Sequence, residues 1–237
     1  MAKSKYYSQK GQDRLVHSLF FANTKNGFFL DIGAHDGVSF SNTFFFETHL
    51  NWKGICVEPI PEVYQKLVKN RNCIYVNACI DSKNGTLKFT RVKGYGEMLS
   101  GISDKYDQKH KERINKTLKQ FGGEIEEFEV NSVTVMSLVE KYNLDRIDLM
   151  NVDTEGNEWP IIQTFPFDIL KPKVILVENN YNDNNIKNFL VEKGYTFCVN
   201  HGDDIFYHGK LPISADLKLF AFKLKRFIKY NLRRLFK

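Results

Sequence analysis

Nowhere in this chain do about 18 uncharged apolar residues follow one another, so no segment is expected to cross a membrane as a helix. The start, Met1 to Lys10, is polar and lacks an apolar stretch of signal-peptide length. Cysteine is scarce. The four present, Cys56, Cys73, Cys79 and Cys198, fall inside apolar, strand-like runs and form neither a C-x-x-C pair nor a metal-ligand spacing. They read as buried thiols of a cytoplasmic protein. Internal repeats and low-complexity tracts are also missing, which leaves a single ordinary domain as the expectation for 237 residues.

Net positive charge is absent from most of the chain as well. Of the formal +6, residues 214 to 237 carry eight Lys or Arg against one acid, so the remaining body stands near −1. A domain that tracks a nucleic-acid backbone carries its positive charge around the binding groove, so the balance argues against a nucleic-acid partner.

What is present is an alternation of Val-, Ile- and Phe-rich runs with helical stretches, the pattern of parallel strands joined by crossover helices. Strands are expected at Phe28 to Ile32, Gly54 to Glu58, Ile74 to Ile80, Ile147 to Asp153, Val174 to Glu178, Thr196 to Val199 and Asp204 to Tyr207. These seven suit a doubly wound α/β sheet. Thr86 to Val92 and Glu127 to Val133 read as an added strand pair around a polar insertion, Lys93 to Gly123, with a charged helix from Asp104 to Phe121. That insertion is either a lid beside a ligand crevice or a solvated surface helix. The Asn-rich stretch Asn179 to Asn188 reads as a capped helix start.

The strongest local signal is Phe28-Phe-Leu-Asp-Ile-Gly-Ala-His-Asp-Gly37, an apolar strand ending in an acid and then two glycines. In open α/β sheets ligands sit outside the carboxyl ends of the strands, and Gly33 and Gly37 would let one approach the backbone. The G-x-x-x-G spacing departs from the dinucleotide fingerprint, and Asp31 would repel a pyrophosphate. S-adenosylmethionine carries no phosphate and has a cationic amino group that Asp31 could help hold. Glu58, closing the second strand before Pro59, is placed to accept from two ribose hydroxyls, and Asn77 and Ala78 stand where an adenine ring would pack.

Four stretches, in order, resemble the FkbM-type methyltransferase family: Tyr7-Ser-Gln-Lys-Gly-Gln-Asp13, Leu30-Asp-Ile-Gly-Ala-His-Asp-Gly37, Cys56-Val-Glu-Pro59 and Asp148-Leu-Met-Asn-Val-Asp-Thr-Glu-Gly-Asn-Glu158. The chain departs from the family pattern at Gln12, where Glu is usual, and at Asn151, where Lys is frequent. The resemblance implies a Rossmann-like class I methyltransferase fold, S-adenosylmethionine as cofactor, and oxygen methylation of sugars or other small hydroxylated molecules. The cofactor set is then Gln9, Asp31, Gly33, Ala34, His35, Gly37, Ser39, Asn42, Thr43, Glu58, Pro59, Asn77, Ala78 and Asp153. Residues 1 to 27 are expected to pack near that site, and residues 28 to 212 to form the methyltransferase domain.

A hydroxyl acceptor must lose its proton during or after attack, which calls for a base or a metal ion. Asp153 at the end of the fourth strand, Glu155 just beyond it and Glu178 at the end of the fifth are the catalytic candidates. Asp153, Glu178 and Asn179 could alternatively hold a divalent cation such as Mg2+. An RNA ribose methyltransferase would pair its acid with lysines that Asp153 lacks, and a non-catalytic binding protein would not need the intact acids and glycine turn.

Residues 213 to 237 form a basic amphipathic helix. Leu217, Phe220, Ala221, Leu224, Phe227, Ile228, Leu232 and Leu235 share one face, and Lys218, Lys225, Arg226, Lys229 and Arg233 the other. It is expected to lie on an anionic membrane surface at the cytoplasmic face, or to dock on the domain or on a second subunit.

Overall fold

The computed structural model describes residues 6 to 179 and 183 to 235. The N-terminal helix α1 (Gln12–Val16) runs into a single π turn (His17–Phe21) and leads to β1 (Phe28–Ile32). There follow α2 (Phe44–Leu50), β2 (Lys53–Val57), α3 (Pro61–Asn70), β3 (Ile74–Val76), β4 (Cys79–Ile80), β5 (Gly85–Lys93), β6 (Gly101–Ile102) and α4 (Gln108–Phe121). The second half comprises β7 (Glu124–Val133), α5 (Val135–Tyr142), β8 (Leu149–Val152), α6 (Glu158–Thr164), β9 (Val174–Glu178), α7 (Asn185–Glu192), β10 (Tyr195–His201), β11 (Asp203–His208) and α8 (Ile213–Leu235).

Seven strands form the main sheet in the order β10-β11-β9-β8-β1-β2-β3, parallel except for β11, which runs against both neighbours. Side chains alternate across it, because successive residues of a strand point to opposite faces. Leu30, Ile32, Val57, Met150 and Val177 pack under α5, α6 and α7. Phe29, Cys56, Leu149 and Leu176 pack on the other face under α1, α2 and the base of α8. Both faces are thus covered, as a parallel sheet requires.

The expected third strand, Ile74 to Ile80, is split. Asn77 donates to the carbonyls of Glu58 and Pro59 at 2.8 and 3.1 Å, turning the chain so that Cys79 and Ile80 join a second sheet, β4-β7-β5-β6. The expected strand pair is the centre of that sheet, with Gly85 to Lys93 antiparallel to Glu124 to Ser132. The insertion helix starts at Gln108 rather than Asp104, because Asp107 accepts from the His110 amide as its N-cap.

Helix α8 meets the domain through the side opposite its expected apolar face. Ala215 and Leu219 are buried against the domain, and Phe222 sets its ring against His201. Leu217, Phe220, Leu224, Phe227 and Ile228 remain exposed. The side chains of Leu232, Arg233 and Leu235 lie outside the described residues, as do Met1 to Lys5, Asn180 to Asn182 and Phe236.

A buried polar chain crosses the sheet on the side of α2. Arg71, 5% exposed, donates to Glu47 at 2.7 Å, to the Gly37 carbonyl at 2.9 Å and to the Thr43 hydroxyl at 3.0 Å. Its guanidinium stands 3.9 Å from Asp31 and lies over the rings of Phe29 and Phe44. The Thr43 hydroxyl donates to one Asp31 oxygen and Asn151 Nδ2 to the other. Asn151 in turn accepts from Asn42, which also donates to Asp203, and Gln12 donates to the same Asp203 oxygen.

Removing one member of a buried ion pair leaves its partner desolvated and uncompensated. Arg71→Met should therefore destabilise the fold by about 3–5 kcal/mol, read by urea unfolding. A loss below about 1 kcal/mol would show that Asp31 and Glu47 find other partners.

Candidate active site

The carboxyl ends of β1, β2, β8 and β9 open into a cavity of about 290 Å3, closed on one side by the second sheet and on another by the segment Gln9 to Gln12. Six acids line it, Glu58, Glu97, Asp153, Glu155, Glu178 and Asp203, against Lys10 and Arg113 as fixed cations. Its size is at the lower end of small-molecule sites.

One end is organised by Glu58, the residue after β2. Its two oxygens accept from the backbone amides of His35, at 3.0 Å, and Ile60, at 2.8 Å, fixing the carboxylate at the cavity wall. Burial pushes its pKa up to about 7 against those two hydrogen bonds. Pro59, Ile60, Ala78, Cys79 and Ile80 continue the wall as an apolar slot. Phe40, Met98 and Ile102 add further apolar surface.

The other end holds the acids. Asp153 is attached to the end of β8, where its backbone amide donates to Ile32. Burial, followed by the fields of Glu178, Asp203 and Glu158, pushes its carboxyl well above the usual range, and it shares a hydrogen bond with Glu178. Two carboxyl groups that share a hydrogen bond cannot both ionise readily, which holds the Asp153 carboxyl up. Glu155 follows in the left-handed region at φ 54°. Its side chain accepts from Arg113 of α4 at 3.0 Å, and burial and Asp153 push it up to about 8. Glu158 binds the turn itself, accepting from Thr154 and Gly156, while Asn157 ties the turn to the Ile80 carbonyl at 2.8 Å.

Gln9, Gly33, His35, Asn42, Glu58, Pro59, Ala78, Asp153, Glu155 and Glu178 all line this one cavity. Asp31 does not. Both its oxygens are taken by Thr43 and Asn151, so it anchors the sheet instead of facing a ligand. Thr43 belongs to the same buried chain, Ser39 is exposed and donates to Asp36, and Asn77 is spent on the turn after Glu58. Ala34 is buried away from the cavity, its amide donating to the Val57 carbonyl. Gly37 lies outside it too: a Cβ there would meet Arg71 at 2.6 Å, so the glycine makes room for the guanidinium. Gly33 lines the cavity, but its own Cβ would lie 1.7 Å from the Asp153 carbonyl, so close approach of β1 to β8 also demands it.

The expected cation site does not assemble. Asn179 donates to the Asp183 carbonyl and to Asp204, away from Asp153. Among the described residues no three His, Cys, Asp or Glu side chains are grouped to hold a metal ion.

Gln12, Asp203, Asn157, Glu97 and Arg113 line the site without being among the residues expected there. Gln12 sat in a recognised motif, whereas Asp203 and Arg113 reach the cavity only through strand pairing and the packing of α4.

The donor set fits S-adenosylmethionine. Asn42 Oδ1 and Asn157 Oδ1 are buried at the cavity and accept no hydrogen bond, so each can receive a donor. The excess of acids suits a cationic sulfonium and ammonium and would repel a pyrophosphate.

Among curated proteins none matches the chain. Similar solved structures include a methyltransferase from Pyrococcus furiosus, at 14% identity and a TM-score of 0.40 over 84% of this chain and 83% of that one. The precorrin-6y C5,15-methyltransferase from Geobacter metallireducens GS-15 aligns at 15% identity and a TM-score of 0.42, covering 89% of this chain and 93% of its own. The plantazolicin methyltransferase BpumL, in complex with SAH, aligns at 11% identity and a TM-score of 0.30 over 92% of this chain and 63% of its own. The strand order with its one antiparallel strand is that of class I methyltransferases. The profile of the Methyltransferase FkbM domain matches residues 31–197, from β1 into β10, and the chain accordingly belongs to the FkbM methyltransferase family.

Proposed function

We propose that this protein transfers a methyl group from S-adenosylmethionine to a hydroxyl of a sugar in a glycan or glycoconjugate. The observation that carries the reading is the half-buried, hydrogen-bonded pair Asp153 and Glu178 at the cavity end of the two central strands, a proton acceptor where an acceptor hydroxyl would be deprotonated.

When bound, the cofactor supplies a methyl already activated by the adjacent sulfonium. Glu58 would accept from its ribose hydroxyls, and Ile60, Ala78 and Cys79 would flank its adenine. Asn42, through its unpartnered oxygen, and Gln9 would receive its amino group. Positive charge brought into this acidic site favours the ionised form of Asp153, lowering the carboxyl from the raised value it has in the empty cavity. Asp153 then takes the hydroxyl proton, while Glu178 holds it in place. Glu155, clamped by Arg113, fixes the turn that carries Asp153 and borders the acceptor end. The apolar surface of Phe40 and Met98 at the cavity suits a sugar ring, and the acids suit its hydroxyls.

The body's near-neutral charge supports a small or glycan acceptor over an RNA. The decisive measurement is detection of a methylated product after incubation with labelled cofactor and glycan fractions. Label appearing only in RNA or protein would refute the acceptor assignment.

Asp153→Asn should lower turnover by roughly a hundredfold or more, with little change in cofactor affinity by calorimetry. Turnover within about threefold of the parent would remove Asp153 from the proton transfer.

Glu58 gives a pH dependence. A carboxyl whose folded pKa is raised stabilises the empty protein below its unfolded value and loses that contribution as pH rises through about 7. Ribose binding needs the ionised form, so affinity should rise by up to about tenfold per pH unit below 7 and level off above it. In Glu58→Gln, calorimetry from acid to alkaline pH should show weaker binding and a flatter profile. A mutant profile as steep as the parent's would assign the titration to another group.

A further inference from the structure

Helix α8 docks on the domain by a narrow strip. Ala215 and Leu219 are buried, Phe222 sets its ring 5.1 Å from that of His201, Lys218 donates to the Ser18 carbonyl and Arg226 to the Asn200 carbonyl. At 100° per residue these positions share one side of the helix. On the opposite side Leu217, Phe220, Leu224, Phe227 and Ile228, between 45% and 66% exposed, form a continuous apolar arc of about 100°. A soluble helix docked on its own domain turns its apolar stripe inward. This one turns it outward.

The charges beside the arc decide what covers it. Lys225 borders one edge, Lys223 and Asp216 lie at the other, and Lys229 lies farther round toward the docking strip. Residues 214 to 237 together carry +7. A second copy of this chain would bring another +7 against the first, whereas an anionic bilayer is complementary to both the arc and its borders. Lysine stems can lie along the apolar boundary while their ammonium groups reach the phosphates. No described helix is long and apolar enough to cross the membrane, so the geometry is that of a helix lying in the interface plane.

We propose that α8 is a membrane-docking surface for anionic phospholipid, held on the domain by its inner strip and seated in the headgroup region by its outer one. The docking strip meets Asn200 and His201, immediately before Gly202 and Asp203 of the cavity wall. Attachment thus brings the cavity to a lipid surface, where a lipid-linked acceptor would be found. The lipid proposal itself does not rest on the methyl-transfer reading.

The test is cosedimentation of the full chain, without cofactor, with vesicles of phosphatidylcholine alone and of phosphatidylcholine mixed with phosphatidylglycerol. Binding should favour the mixed vesicles by at least about tenfold and weaken as salt is raised. Phe220→Ser/Phe227→Ser removes apolar surface at constant charge, and Lys225→Gln/Lys229→Gln removes charge at constant apolar surface. Each should reduce binding at least about fivefold with an unchanged melting temperature, because all four side chains are exposed. Equal binding to both vesicle types, no binding at low salt, or binding indifferent to both variants would overturn the proposal. A dimer seen by light scattering and dissolved by Phe220→Ser/Phe227→Ser would do so as well, giving the arc to a second copy.

Discussion

The architecture turns on a buried cation. Arg71 reaches from the end of α3 to the carboxylates of Glu47 and Asp31, and Asp31 reaches through Asn151 and Asn42 to Asp203 and Gln12. Parallel sheets have apolar interiors, and a chain of polar groups through one is stabilised by the hydrogen bonds its members exchange; the open acceptor in this one, Asn42 Oδ1, faces the cavity. Here the chain links α2, α3, β1, β8, β11 and α1, adding side-chain bonds to the backbone pairing of β1 with β8 and to the apolar cluster these elements share. It bridges β1 and β8 two residues before Gly33 and Asp153, where the backbone pairing already holds the two strands together. The network thus lies directly beneath the cavity as well as being a source of stability.

The same network explains the departure at Asn151. A lysine at that position would face Asp31, whose charge Arg71 already compensates, and could not accept from Asn42. The amide donates to Asp31 and accepts from Asn42, and so carries the hydrogen-bond chain across the strand boundary. Gln12 is matched to this arrangement: its Nε2 donates to Asp203, which a glutamate could not do without protonation.

Features encoded within a dozen residues were legible in the sequence. The apolar run Phe28 to Ile32 with its glycine turn, the strand closing on Glu58, and the acid after β8 each carry their meaning locally, and all take the expected places. Asp31 was misread because its partners Thr43, Arg71 and Asn151 are dispersed along the chain, and a strand-end acid looks the same whether it faces a ligand or a buried guanidinium. Asn77 was read as continuing a strand, since nothing local reveals that its amide will be captured by the carbonyls of another turn. Arg113 was invisible for a different reason: α4 is polar around most of its circumference, and only the placement of the second sheet decides which side meets Glu155.

Asp31 and Asn151 are 120 residues apart in the chain, yet the hydrogen bond between them lies at the centre of the sheet. As a polymer problem, closing that contact means closing a large loop, whose entropy cost grows with the logarithm of its length. The antiparallel pair β5–β7 lies wholly inside the loop and pairs nine residues on each strand. Once formed, it shortens the free chain that β8 must carry to reach β1. The insertion that walls the cavity in the finished protein is thus also an internal cross-link that reduces the effective loop this strand pair must close.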